Sequence, residues 1–125
     1  MYLGLHAEET ATITEIAACY QVSRNHLVKV VHQLSSQGYL QSKRGRGGGI
    51  TLAAPASDIY VGDVVRAMEA TLNIIDCEGS ACPLLPSCLL KDVLNEATQA
   101  FLQSLDQYTI ADLIRNKPQL LKIIG

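Results

Sequence analysis

Between Thr12 and Ile50 the chain reads as a capped short helix, a polar break, a longer helix and a turn of glycine and arginine, a succession that few folds accept. Thr12-x-x-Glu15 is a capping box, in which hydroxyl and carboxylate each satisfy a free backbone N–H at a helix start. A helix from about Ile13 to Tyr20 comes next, expected to bury Ile13, Ile16, Ala17 and Tyr20. Gln21-Val22-Ser23 interrupts it, and Ser23 is suited to cap a second helix. Leu27, Val30, Val31 and Leu34 mark one buried face of that helix, and Gly38 supplies its left-handed end. This is the helix-turn-helix pattern. Ahead of it, Met1 to His6 reads as apolar helix too short to stand unaided, with Glu8, Glu9 and Thr10 as a polar turn. His6 reads as a surface histidine, and Cys19 as a small core residue.

The second helix opens its exposed face with Ser23, Arg24, Asn25 and His26 and offers Lys29 one turn later. Arginine can grip guanine O6 and N7 or a phosphate, asparagine can pair with adenine, and a helix N-terminus attracts phosphate. Arg24, Asn25 and His26 are expected at base edges, with Lys29 nearer the backbone. Two strand-like runs, Tyr39–Lys43 and Ile50–Ala53, flank Arg44-Gly-Arg-Gly-Gly-Gly49, a hairpin read as a wing whose Lys43, Arg44 and Arg46 reach phosphates or the minor groove. No Gly-x4-Gly-Lys-Ser/Thr is present, so these glycines are not a nucleotide-phosphate cradle. The overall charge of −2 hides a partition. From Ile16 to Ser57 there is no acidic residue and a charge of +5, while the remainder sets five basic residues against twelve acidic ones, or −7. One part suits a polyanion and the other avoids it.

Pro55 ends the hairpin, and Ile59 to Ala70 reads as a connector and a helix with Val61, Val64, Val65 and Met68 inward. Leu72 to Ile75 leads to Cys77-Glu-Gly-Ser-Ala-Cys82-Pro-Leu-Leu-Pro-Ser-Cys88, three thiols in one loop broken by Gly79, Pro83 and Pro86. Soft thiolates select an iron–sulfur cluster, zinc or Cu(I), and the spacing is wider than the Cys-x2-Cys pairs usual for zinc. A disulfide or three buried free cysteines remain the alternatives at this point. Leu90, Leu94, Ala97, Phe101 and Leu105 recur along a helix running to about Gln107, a stripe suited to pairing with a second copy, which would set two recognition helices on successive half-sites, with packing inside its own chain as the alternative. Thr109-x-x-Asp112 caps a short helix, and Pro118 is expected to disrupt the chain near its end. At 48% apolar and 18% charged, the chain has the composition of an ordinary globular domain, with no signal-like start and no apolar run of membrane-spanning length. A cytoplasmic setting with reduced thiols is expected, and no nucleophile–base pair suggests an enzyme.

The run Val22-Ser-Arg-Asn-His-Leu-Val-Lys29, the wing Arg44–Ile50, the segment Ile59-Tyr-Val-Gly-Asp-Val-Val-Arg66 and the three cysteines resemble the nitric-oxide-sensing NsrR branch of the Rrf-type bacterial winged-helix regulators. The resemblance covers nearly the whole chain. It implies a mainly α fold, with a winged helix-turn-helix and two-stranded wing in residues 1–58. Residues 59–125 would carry the cluster loop and the long dimerisation helix within the same compact domain. It further implies a homodimeric repressor on palindromic operators in double-stranded DNA. Cys77, Cys82 and Cys88 would hold a 2Fe–2S or 4Fe–4S cluster, the latter preferred, and attack by nitric oxide would release the operator. The IscR branch carries a His three residues after its last cysteine, where this chain has Lys91, which cannot ligate while protonated. Set against that family, Met1 falls inside the first helix, which is thus expected to be truncated. The acidic ligand that some members lend from the other subunit is then missing. Glu8, Glu9 or a small molecule stand as substitutes. A zinc- or thiol-redox-controlled repressor, and a cluster-free regulator that docks a protein partner, are the alternatives.

Overall fold

The computed structural model describes all residues except 71 and 73, so the sequence reading of Leu72–Ile75 lies partly outside the described residues. Helices α1 (Tyr2–Leu5), α2 (Ile13–Tyr20) and α3 (Arg24–Ser36) are followed by strands β1 (Leu40–Lys43) and β2 (Gly49–Leu52). Helix α4 (Val61–Met68), the long α5 (Leu89–Leu105), α6 (Ile110–Leu113) and α7 (Lys117–Ile124) complete the order, with one-turn 3-10 helices at Ala56–Asp58 and Leu85–Ser87. None of these helices is long and apolar enough to cross a membrane.

The helix starts obey their caps. Thr12 Oγ1 accepts from the Glu15 amide at 3.2 Å while Glu15 Oε2 accepts from the Thr12 amide at 2.7 Å, closing the expected box. Gln21 turns the chain in the left-handed region at φ 53°, and Ser23 caps α3 through the His26 amide. Leu3, Ala11, Ile16, Val31, Leu40 and Ile50 form the buried cluster, joined at its edge by Tyr2, Ile13, Leu27, Leu34 and Leu52. Tyr20 departs from expectation. It is 45% exposed because it lines an open apolar cavity of about 290 Å³ between α1, α2, α3 and the hairpin, with its ring edge-on to Tyr2. His6 is half-buried rather than on the surface, its ring 4.6 Å from that of Tyr2 and its Nε2 buried without a hydrogen-bond partner among the described residues.

Strands β1 and β2 pair antiparallel from Leu40↔Leu52 to Lys43↔Gly49, and Ala11 adds a bridge to Ile50 on the other edge. Gly49, at φ 156°, lies so close to this bridge that a Cβ would stand 2.6 Å from the Ala11 carbonyl oxygen. A second bridge, Tyr60↔Thr109, ties the start of α4 to the start of α6. Arg66 of α4 makes two hydrogen bonds to Asp106 just beyond α5, at 2.5 and 2.8 Å, and these hold the Asp106 carboxyl below its ordinary value. Pro118 does not disrupt the chain end: it sits in the first turn of α7, where its missing N–H has no intrahelical partner to lose. Helix α7 folds back on the N-terminal part, with Cys19 Sγ 3.7 Å from the Ile124 carbonyl oxygen.

Gly49→Ala should lower the unfolding free energy by about 1–3 kcal/mol in chemical denaturation, because the methyl group meets backbone that cannot retreat. Asp106→Asn should unfold more easily than wild type at neutral pH. Since the folded state depresses the Asp106 pKa, its contribution is present above the ordinary carboxylate value and fades as pH falls through the lowered one. Thermal melts of the two proteins should therefore converge in acid, and a gap that persists or widens there would contradict the ion-pair account.

Candidate functional site

Helices α2 and α3 pack against each other so that one long side of α3 stays free. Ser23, Arg24, Asn25 and His26 are exposed around its first turn, and Lys29 is exposed one turn later. The Arg24 Nε donates to Thr14 Oγ1 at 3.3 Å, which holds the guanidinium beside the first turn of α2. Asn25 and Lys29, one turn apart, then occupy the middle of the free side. His32 continues that line at helical spacing and is also exposed. The sequence reading does not single it out, although the 25-29-32 spacing is a signal that could have found it.

The hairpin stands beside this helix. Lys43, Arg44 and Arg46 are exposed around a tip in which Gly45 and Gly47 take positive φ values of 96° and 70° that favour glycine. The tip is tied down from a distance, since Thr10 Oγ1 donates to the Gly47 carbonyl at 2.8 Å. Thr10 carries no sequence signal for this role beyond its place in a polar turn.

Cys77, Cys82 and Cys88 are free and half-buried on the segment joining α4 to α5. Asp76 Oδ1 accepts from the Gly79 amide at 2.8 Å, and a Cβ at Gly79 would collide with that carboxylate. Ser80 Oγ donates to the Cys77 carbonyl at 3.2 Å. Further along, the Leu85 amide donates to the Cys82 carbonyl, and Cys88 is the N-cap residue of α5. Lys91, one turn into α5, reaches back to Glu78 at 3.4 Å, so the first part of the loop is fastened to the helix that begins after the last cysteine. Among the described residues no three His, Cys, Asp or Glu side chains come together as a metal-holding group. The donor chemistry fits a thiophilic centre, three unpaired thiols on one loop, whereas their present arrangement does not, and the loop must draw together to bind one.

On α5, Leu102 is buried and Leu94 and Leu105 are half-buried against the chain. Leu90, Val93, Ala97 and Phe101 are exposed, with Leu90, Val93 and Phe101 each more than half accessible. The stripe read from the sequence is thus graded in cover, Leu94 and Leu105 on the side nearer Leu102 and Val93 joining its exposed edge.

Residues 1–116 match the Rrf2 family, described as "Iron-dependent Transcriptional regulator". Among solved structures, the chain is similar to IscR of T. potens at 27% identity, covering 91% of this chain and 76% of that one with a TM-score of 0.74. It is similar to the oxidized form of Staphylococcus aureus CymR at 26% identity, covering 90% and 83% with a TM-score of 0.68. CymR of B. subtilis, the global cysteine regulator, shares the fold at 23% identity over 92% of this chain and 86% of that one, TM-score 0.71. The arrangement of α2, α3 and the hairpin is accordingly a winged helix, and this chain belongs to the Rrf2 family of DNA-binding transcriptional regulators.

Proposed function

We propose that this protein is a repressor that reads a palindromic operator as a homodimer and reports nitric oxide through an iron–sulfur cluster at Cys77, Cys82 and Cys88. The observation that carries this reading is the set of three unpaired, half-buried thiols on one loop of a chain belonging to an iron-dependent regulator family. Residues 1–58 form the DNA-reading part and residues 59–125 the sensing and pairing part. Asn25, with Arg24 and His26, faces base edges, while Lys29, Lys43, Arg44 and Arg46 neutralise phosphates. Ser23 fixes the start of α3 at the groove. The outward stripe Leu90, Ala97 and Phe101 meets its copy, and Leu94 and Leu105 brace α5 from inside. The protein acts in the cytoplasm, where thiols stay reduced.

Cys77, Cys82 and Cys88 would hold the cluster, preferably 4Fe–4S, and it would supply iron with which nitric oxide could react. The chain's part is to present three thiolates from a loop set between α4 and α5, with the Asp76–Gly79 turn and the Glu78–Lys91 pair shaping its first half. Because the ligands must gather to bind, loading is linked to the order of the loop and to the helices it joins. A second reading, a thiol-redox or zinc-controlled regulator, draws on the likeness to Staphylococcus aureus CymR, one structure of which is an oxidized form.

Anaerobically purified protein should contain iron and acid-labile sulfide in similar amounts, with a visible absorption band that nitric oxide bleaches and that is lost in Cys82→Ser. Zinc alone, or reversible thiol oxidation without iron, would establish the second reading instead. For the DNA-reading part, Arg46→Ala should weaken operator and random duplex alike and reduce the slope of log affinity against log salt by about 1. Asn25→Ala should instead reduce discrimination at one base pair by about 1–3 kcal/mol, leaving random-duplex binding unchanged.

A further inference from the structure

Gln33 lies on α3, one turn beyond Lys29, and is half-buried. Its Nε2 donates to two carbonyl oxygens at once, those of Ala67 and Met68, each at 3.2 Å. Both belong to the last turn of α4, where helical carbonyls have no partner within their own helix. A carboxamide nitrogen carries two hydrogens, so one side chain can satisfy both, and the reverse amide orientation would set oxygen against oxygen. Among the described residues these are the hydrogen bonds that join α3 to α4. Immediately beyond them, Glu69 leaves the helix in an extended conformation at φ −92° and ψ 120°, and the chain runs on towards Cys77. On its other side α4 is tied by the Arg66–Asp106 pair, so the end of α4 nearest the loop in sequence is the end whose carbonyls Gln33 holds.

We infer that Gln33 is the positioning residue through which the state of the cysteine loop reaches the recognition helix. It rests on the reading of that loop as the sensor, and it is independent of which metal or oxidant the loop senses. The recognition surface and Gln33 share one continuous helix, so a shift of the α4 end moves the side of α3 that carries Asn25 and Lys29. Removing the amide donors leaves α3 folded and breaks the link.

The test compares two loop states in a Cys19→Ser background: thiols free, and Cys77, Cys82 and Cys88 carboxamidomethylated. The probe is a duplex selected from a randomised pool by the unmodified protein. Operator affinity and amide exchange along α3 are measured in both states for Gln33, Gln33→Met and Gln33→Arg. With Gln33, alkylation should change affinity by about fivefold or more, within the usual span of coupling between sites. In Gln33→Met that ratio should collapse towards one while free-thiol affinity stays near that of Gln33. Gln33→Arg, which keeps donors for both carbonyls, should restore the ratio, its added charge cancelling between states. An unchanged ratio in Gln33→Met overturns the inference, as does a Gln33 protein whose affinity ignores alkylation. Loss of binding in both states, with faster α3 exchange in both, would reduce Gln33 to a structural brace and overturn it too. Absence of iron in the purified protein would sink the cluster reading alone.

Discussion

Ile50 is the point on which the DNA-reading half depends. Its amide and carbonyl both bond to Ala11, at 2.7 and 3.1 Å, while its side chain is 5% exposed in the cluster with Leu3, Ile16, Val31 and Leu40. One residue therefore fixes the hairpin to the N-terminal segment through its backbone and to α2 and α3 through its side chain. The angle between recognition helix and wing is set by that double attachment. A cluster of small and branched residues with no large side chain fully buried has little apolar area to spare, so this polar lock on the backbone matters more than in a deeper core.

The other half is organised by charge and by helix ends. Arg66 and Asp106 close the side of α4 and α5 away from the cysteines, and Lys91 with Glu78 fastens the side that carries them. Both pairs are exposed enough that water competes for them, and their value lies in geometry more than in stability. Residues 59–125 carry an acidic surplus, opposite in sign to the basic stretch that holds the recognition helix and wing.

Much of this architecture is legible in the chain because its signals are local. The caps at Thr12, Ser23 and Thr109 and the left-handed Gly38 set helix limits within a residue or so, since each acts on its own turn. Pro118 misleads because a proline breaks only a turn that precedes it, and α7 begins one residue earlier. The stripe on α5 is graded across one arc of the helix, Leu94 and Leu105 lying at the edge nearer the buried Leu102 and so half-covered by the chain. Thr10 to Gly47, Gln33 to α4 and Arg66 to Asp106 are invisible in the sequence, since a polar pair separated by dozens of residues leaves no periodicity. The cysteines are legible as a group of thiols, while their distances from one another depend on a loop with no repeating pattern.

The Thr10 bond to Gly47 separates the shape of the wing from its chemistry. The hydroxyl meets a main-chain oxygen, and the glycines meet only conformational demands, so neither Arg44 nor Arg46 is needed for the tip to hold its form. The two cations can then be exchanged for other side chains while the loop that displays them keeps its form.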